Sequence, residues 1–303
     1  MDKFCPTPDK PLIHQPTDAL LRHLVQSEGR VPLSFEVFPP RTDAQRALLD
    51  DIVDRLAPVA VDGFSVTMGA GGATRKGTHE TALAIAKRCG RPVTAHLTTF
   101  GMCKEETLSF SDRLWSSGIN RILALKGDRP KDMVDVPPGF GHANNLVKAL
   151  ANQHSFEIAV AAYPEKHPEA DDLDSDISRL REKIDAGATM AYCQFVLEPS
   201  AYGRFLEKCA QNGINVPIVP GLMPLDNWKR TRSFAVSNGT SVPEWLGRLF
   251  ACGAQTPKIM PNLAVAVMIE QARRLIAYGA PALHVYTMNR WMLPLTLARL
   301  LGH

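Results

Sequence analysis

The sequence lacks the signals of several common protein classes. Its six cysteines are widely scattered and form neither a CxxC pair nor a Cys/His cluster at zinc spacing. No uninterrupted apolar run approaches the roughly 20 residues of a membrane span, and no run of Lys and Arg is interleaved with aromatic residues. We therefore expect no metal site, no membrane span and no nucleic-acid partner, and the cysteine usage fits a reducing cytoplasm.

The composition is that of a protein with a large core and balanced charge. Of 303 residues, 45% are hydrophobic, and 34 Lys and Arg stand against 31 Asp and Glu, a net charge of +3. Small molecules or further copies of the chain are therefore the expected partners. The polar, proline-dotted stretch from Met1 to Asp18 is unlike a signal peptide, so we predict a flexible arm over residues 1–16 and a first helix over 17–28.

Short apolar runs alternate with amphipathic segments along the rest of the chain. The apolar runs predict strands at 33–38, 64–67, 93–98, 121–125, 156–163, 190–195, 216–219 and 283–287. The periodic segments, several of which end at glycine, predict helices such as 44–56, 78–88, 105–116, 174–186, 202–211 and 264–278. Eight strands with intervening helices favour an α/β fold, a single (β/α)8 TIM barrel over residues 17–303.

An open, doubly wound sheet is the alternative architecture. Its first strand normally leads into a glycine-rich phosphate turn, whereas here Pro39 and Pro40 follow the first strand. The glycine-rich loop at 69–72 is the nearest substitute, and it is equally consistent with a flexible connection. The closed barrel is therefore favoured.

Glu36 is the most informative residue of the sequence. It lies in a short apolar strand that should be buried on both faces and that ends at Pro39 and Pro40. A carboxylate in such a strand is costly unless it is paired, protonated or used in catalysis. Because barrel enzymes build their active sites at the C-terminal ends of strands, Glu36 is a candidate active-site residue.

Polar or ionisable residues also end most of the other predicted strands. They include Thr67, His96, Thr98, Lys126, Asp128, Tyr163, His167, Gln194 and Arg290. Any one of them could be a purely structural residue, but seven such strand ends together indicate a site. No Ser/His/Asp order and no metal constellation emerges, so the set suits an organic cofactor and a heteroaromatic substrate.

An ordered set of sequence blocks makes the chain recognisable. The blocks are SFEVFPPRT (34–42), SVTMGAGG (65–72), AHLT (95–98), ALKGD (124–128), AAYPEKHPE (161–169), DAGA (185–188), QF (194–195), PGLMP (220–224) and YTMNR (286–290). With these blocks the chain resembles the flavin-dependent methylenetetrahydrofolate reductases of bacteria from about Val31 to Gly302.

The resemblance implies a cofactor, two substrates and an assembly. FAD would lie at the C-terminal ends of the strands, and NADH or NADPH and the folate would use it in turn, in ping-pong hydride transfer. The resemblance also implies a homo-oligomer, and we expect no regulatory domain after the barrel.

The resemblance implies catalytic roles for two carboxylates. Glu36 is similar to the general acid that protonates the departing folate nitrogen. That role needs an apolar surround, for which the candidates are Phe35, Val37, Phe38 and Pro39. The structural alternative for Glu36 is a salt bridge with Arg41 or Lys126. Asp128 resembles a residue close to both flavin and pterin, and its alternative is the capping of a turn.

The resemblance also implies binding roles for further residues. The resemblance places FAD against Thr67, His96, Lys126, Gly127, Asp128, His142, Ala161, Tyr163, His167, Asp176 and Lys183, with Lys183 reaching the pyrophosphate. The substrate-binding candidates are Gln194, Phe234, Met288 and Arg290. For Phe234 the alternative is a core position, and for Arg290 it is a salt bridge at a helix start.

Several positions depart from the pattern of the family. Lys126 stands where arginine is frequent, His142 where tyrosine is usual, and Met288 where leucine is usual, while Val196 and Leu197 replace two phenylalanines. The departures raise an alternative function, oxidation of 5-methyltetrahydrofolate with weak use of NADH. Two further alternatives are a flavin-free folate-dependent methyltransferase barrel and a catalytically silent folate-binding protein.

Overall fold

The fold, given by a computed structural model that describes residues 31–69, 75–127 and 139–303, is a closed barrel. All of its strand pairs are parallel, and β8 pairs with β1 to close the ring. The strands are β1 (Leu33–Val37), β2 (Gly63–Val66), β3 (Val93–Thr98), β4 (Arg121–Leu125), β5 (Glu157–Ala162), β6 (Met190–Phe195), β7 (Ile218–Leu222) and β8 (Leu283–Tyr286). The predicted (β/α)8 barrel is therefore confirmed.

Ten α-helices surround the barrel within the described residues. They are α1 (Asp43–Leu56), α2 (Arg75–Cys89), α3 (Lys104–Ser116), α4 (Ala143–Gln153), α5 (Leu173–Asp185), α6 (Pro199–Gln211), α7 (Trp228–Ser237), α8 (Glu244–Gly253), α9 (Met260–Ala277) and α10 (Met292–Leu300). The sequence analysis named six of them and did not identify α4, α7, α8 and α10. The predicted arm at 1–16 and helix at 17–28 lie outside the described residues.

The barrel has two hydrophobic cores, because successive residues of a strand point to opposite faces. The larger core lies between the sheet and the helices and includes Phe35 and Val37 of β1. The smaller one fills the inside of the barrel, where Leu123, Tyr192 and Val219 belong to one cluster. Ser34 and Glu36 alternate with Phe35 along β1 and so face the inside.

None of the described helices has the combination of length and hydropathy that a membrane span requires. The longest, α9, has 18 residues, but no helix of the described ranges is both long and apolar enough to cross a bilayer.

Candidate active site

Glu36 lies inside the barrel close to the C-terminal end of β1, and only 8% of it is exposed. Its Oε2 atom is 3.5 Å from Nε2 of His284 and 3.7 Å from Nε2 of His96. Lys126, one of the cations considered as a structural partner, instead pairs with Glu169 at 3.1 Å. Two imidazoles, rather than a lysine or an arginine, therefore flank the carboxyl group.

The apolar surround expected for Glu36 from its sequence neighbours is wrong. Phe35 and Val37 are fully buried, but they belong to the outer core on the opposite face of β1. Phe38 lies beyond the strand and is 37% exposed. The two-residue period of a strand explains the error, because adjacent residues cannot share a face.

Two of the groups near Glu36, His96 and Tyr286, have pKa values that are shifted by desolvation. Burial lowers the pKa of His96 to about 4, although the nearby carboxylate of Glu36 acts in the opposite direction. Burial also raises the pKa of Tyr286, and Glu36 adds to that increase. At neutral pH neither His96 nor Tyr286 brings a charge to the site.

Each imidazole beside Glu36 is oriented by a buried serine. Ser34 Oγ lies 2.8 Å from His284 Nδ1, and Ser65 Oγ lies 2.9 Å from His96 Nε2. The sequence analysis missed Ser34, Ser65 and His284 as site residues. The period of two was the available signal, because Ser34 precedes Glu36 by two residues on the same strand.

The ends of β1 and β8 are joined by side-chain hydrogen bonds. Thr287 Oγ1 donates to the carbonyl of Glu36 at 2.6 Å. The amide of Asn289 accepts from the N–H of Phe38 at 2.8 Å and donates to its carbonyl at 3.0 Å. Met288, a predicted substrate contact, lies between these residues with a positive φ of 53°. These hydrogen bonds between the ends of β1 and β8 fix the backbone that carries Glu36.

Five of the predicted flavin-binding residues form one connected group at the end of β5 and on α5. The rings of Tyr163 and His167 meet edge to face at 4.6 Å. The backbone N–H of His167 donates to Asp176 Oδ2 at 2.9 Å. Lys183 Nζ donates to the carbonyl of Ala161 at 2.6 Å. The structure thus brings together residues that are up to 22 positions apart in sequence.

The environment of Lys183 indicates whether these five residues could bind the diphosphate of a flavin dinucleotide. Desolvation lowers the pKa of Lys183 to about 8, while Asp176 and Glu182 act against that shift. A lysine that is desolvated and hydrogen-bonded to a neutral carbonyl gains stability when an anion binds beside it. The residues present therefore fit an anionic group of the cofactor.

The loop after β4 carries the next predicted residues. Gly127 has a φ of +84°, and a Cβ atom there would lie 2.8 Å from Cβ of Thr98. Only glycine therefore allows the backbone at position 127 to lie this close to Thr98. Lys126 is half exposed and held by Glu169, whereas Asp128 lies outside the described residues.

Two other flavin-binding candidates are held mainly through their backbone. The N–H of Thr67 donates to the carbonyl of Val37 at 3.1 Å, and its own carbonyl accepts from Thr78 Oγ1 at 2.9 Å. His142 is exposed at the N-terminus of α4, and its side chain makes no capping hydrogen bond to that helix. The structure gives His142 no link to the group around Lys183.

A cleft beside the end of β6 contains one predicted substrate-binding residue and adjoins another. It is lined by Tyr163, Gln194, Val196 and Asn238, among others, and Gln194 Nε2 lies 3.5 Å from Asn238 Oδ1. Phe234 of α7 stacks on Phe195, with ring centroids 5.6 Å apart, and remains 45% exposed. Phe234 is therefore a surface residue near the cleft and not a core residue.

Arg290, the fourth predicted substrate contact, is engaged in an ion pair. Both of its terminal nitrogens donate to the carboxylate of Asp226, with Nη2 at 3.0 Å from Oδ1. This pair lies just before α10 and corresponds to the structural alternative given for Arg290. A ligand that used Arg290 would have to compete with Asp226.

No cluster of three or more His, Cys, Asp or Glu within residues 31–69, 75–127 and 139–303 has the geometry to hold a metal ion.

Known proteins resemble this chain over nearly its whole length. The family model described as methylenetetrahydrofolate reductase matches residues 20–302. A 5,10-methylenetetrahydrofolate reductase of Pectobacterium carotovorum subsp. carotovorum is 35% identical over 285 residues, which cover 94% of this chain and 95% of the relative. The protein of that name from Escherichia coli (strain K12) is 34% identical over 289 residues, with the same coverage.

A solved structure shares the fold at low sequence identity. It is an uncharacterized protein from Clostridium thermocellum that binds two copies of 5-methyl-5,6,7,8-tetrahydrofolic acid. It matches with a TM-score of 0.60 at 14% identity, covering 93% of this chain and 97% of its own. The sequence matches, and not this likeness, carry the assignment: the chain belongs to the methylenetetrahydrofolate reductase family.

Proposed function

We propose that the protein is an FAD-dependent reductase that converts 5,10-methylenetetrahydrofolate to 5-methyltetrahydrofolate with NADH or NADPH as electron donor. Membership of the family supports the reaction. The observation that carries the mechanism is the burial of Glu36 between His96 and His284 at the end of β1. The cytoplasmic location and the homo-oligomer stay predictions.

Glu36 acts in this proposal as the general acid. The five-membered ring that contains the methylene bridge opens more easily once its departing nitrogen is protonated, and Glu36 supplies that proton. Bound FAD would supply the hydride that completes the reduction. His96 and His284 hold the carboxyl group in place, and Lys183 binds the anionic part of the cofactor.

The cavity beside β6 is only about 10 Å³, too small for a whole substrate, so each substrate would contact its residues from outside, one substrate at a time. Gln194 offers an amide that can donate to or accept from either substrate. Phe234 and Phe195 offer an aromatic surface on which a planar ring stacks.

Replacing Glu36 with Gln tests the proposal. The amide retains the shape of the side chain but has no acidic proton, so we expect loss of folate reduction while the nucleotide still reduces the flavin. Stopped-flow absorbance would follow each half-reaction, with exposed Glu207→Gln as the control. Loss of both half-reactions would show that Glu36 is structural.

One observation favours a second candidate, in which the enzyme mainly oxidises 5-methyltetrahydrofolate. Val196 borders the cleft where the family has phenylalanine, so the cleft wall lacks an aromatic ring there, although Val196 itself is only 2% exposed and belongs to the outer core. Leu197 lies in the outer core and is 1% exposed. Flavin reduction by NADH, NADPH and 5-methyltetrahydrofolate should be compared in stopped flow. Fast reduction by micromolar NADH would exclude this candidate.

A further inference from the structure

Two loops face each other across the cleft beside the end of β6. The first is the β5–α5 loop (163–172), which carries two of the predicted flavin-binding residues, Tyr163 and His167, and the second is the α7–α8 loop (238–243). Residues of both loops line the cleft together with the end of β6. The distance between the two loops therefore sets the width of the cleft beside Gln194.

Glu165 joins the two loops. Its Oε2 atom accepts from the backbone N–H of Ser241 at 3.0 Å, and its Oε1 atom accepts from the hydroxyl group of Ser241. The two residues are 76 positions apart in sequence. Hydrogen bonds to a carboxylate are stronger than those between neutral groups, and two of them to one residue also define its orientation. Glu165 thus fixes both the distance and the direction of the α7–α8 loop.

The other side-chain hydrogen bonds between the α7–α8 loop and the barrel are longer. Gln194 Nε2 lies 3.5 Å from Asn238 Oδ1, and Thr240 Oγ1 lies 3.5 Å from the carbonyl of Phe195. Both distances are at the outer limit for a hydrogen bond. Glu165 therefore makes the strongest polar connection of this loop to the rest of the described protein.

The β5–α5 loop is the fixed member of the pair. Lys166 has a positive φ of 93°, a conformation that a residue other than glycine keeps only where the surrounding structure imposes it. The backbone N–H of Lys166 donates to the carbonyl of Tyr163 at 3.2 Å, and its Nζ atom donates to the carbonyl of Ala170 at 2.6 Å. Neither hydrogen bond involves Glu165. Removal of the Glu165 side chain therefore releases the α7–α8 loop and leaves the β5–α5 loop in place.

Helix α7 is held near its start by a separate contact. Thr231 is 5% exposed, and its Oγ1 atom donates to the carbonyl of Pro224 at 2.9 Å. Phe234 lies between Thr231 and the α7–α8 loop and stacks on Phe195. The position of the Phe234 ring beside the cleft thus depends on one contact before it and on the Glu165 contact after it.

We propose that Glu165 is a positioning residue for substrate binding, which fixes Phe234 and Asn238 beside the cleft by holding the α7–α8 loop against the β5–α5 loop. The inference rests on the proposed function, in which Gln194 and Phe234 contact the nucleotide and the folate. Glu165 takes no part in the chemistry. Its effect is on affinity, because without Glu165 each substrate has to order the α7–α8 loop as it binds.

Glu165→Ala should weaken the binding of both substrates without slowing hydride transfer. Stopped-flow reduction of the flavin by NADH or NADPH, and its reoxidation by 5,10-methylenetetrahydrofolate, each give a Kd and a limiting rate. We expect each Kd to rise about fivefold, equivalent to ~1 kcal/mol, with the limiting rates and the Kd for FAD unchanged. Glu165→Gln should restore the substrate Kd values, because its amide accepts from the N–H of Ser241 and donates to the hydroxyl oxygen. Adding Ser241→Ala to Glu165→Ala should cause no further loss.

Glu198→Ala is the matched control. Glu198 also accepts from the N–H and the hydroxyl group of one serine, Ser200, at 3.3 and 2.9 Å, but this pair lies at the start of α6 and joins no two loops. Its loss should leave the substrate Kd values unchanged. Equal increases in Glu198→Ala and Glu165→Ala, or a parallel loss of FAD binding in Glu165→Ala, would make Glu165 a general structural residue. Unchanged substrate Kd values in Glu165→Ala would show that other contacts position α7. Each of these results overturns the inference.

Hydrogen–deuterium exchange of the flavin-bound protein measures the loop without turnover. The backbone N–H of Ser241 should exchange about tenfold faster in Glu165→Ala, because it loses its acceptor, and at the original rate in Glu198→Ala. An unchanged exchange rate in Glu165→Ala would contradict the inference. Failure of the proposed function appears separately, as folate reduction that survives in Glu36→Gln.

Discussion

The lysine at the proposed diphosphate site predicts how flavin affinity depends on pH. The pKa of Lys183 is lowered to about 8 by desolvation. If the cofactor binds the protonated form, the binding-competent fraction falls from about 0.9 at pH 7 to about 0.1 at pH 9. We therefore expect the Kd for FAD to rise about tenfold between these pH values, equivalent to ~1.4 kcal/mol.

Quenching of FAD fluorescence during titration into the flavin-free protein would measure this dependence. Lys183→Met should bind FAD more weakly at pH 7 and should lose most of the pH dependence. Lys208→Met is the control, because Lys208 is a surface lysine paired with Asp174. A flat Kd in the unmodified protein, or an unchanged slope in Lys183→Met, would refute the reasoning.

The stability of the flavin-free protein should depend on pH in the opposite direction. The pKa of Lys183 is lower in the folded protein than in the unfolded chain, where it is near 10.4. Between about pH 8 and 10.4 the unfolded chain therefore binds more protons, and the contribution of Lys183 to the free energy of unfolding rises with pH. Urea unfolding of the protein and of Lys183→Met would separate this contribution from other titrations. A loss of FAD affinity above pH 8 is due to Lys183 only where the urea titration shows that the protein is still folded.

Two further predictions concern the loop after β4 and the ion pair before α10. Gly127→Ala should lower the free energy of unfolding more than Gly118→Ala, by a further ~1 kcal/mol in urea titrations, because both have positive φ but only Gly127 meets Thr98. Equal losses would contradict this. Asp226→Asn frees Arg290 and should lower the KM for the folate about threefold, ~0.6 kcal/mol. The family resemblance places Arg290 near the glutamate tail of the folate, so a folate analogue without its glutamate should show no such change. An equal change would refute that role of Arg290.

The pattern of the sequence predicted the barrel well because its signals are local. Apolar runs and glycine helix ends placed the eight strands near their observed bounds. The missed helices α4, α7, α8 and α10 have only 9 to 11 residues. So few turns give a weak periodic signal, and their stability comes mainly from packing against the barrel.

The site was predicted only in part, for a different physical reason. Strand ends and the family resemblance identified Glu36, Tyr163, His167 and Lys183, and the structure places the last three in one connected group. The role of these residues in binding stays a prediction. The predicted apolar surround of Glu36 was wrong because residues adjacent to Glu36 in sequence were assumed to lie beside its side chain in space.

The sequence by itself determined that Glu36 lies near the C-terminal end of the first strand of the barrel. The short apolar run and the proline pair after β1 are sufficient for that conclusion. Only the tertiary structure decided which groups meet Glu36. His284 is 248 residues away and reaches it because β8 closes the ring beside β1, in a register that pairs Glu36 with Tyr286. Ring closure and register are properties of all eight strands together, so no local pattern contains them.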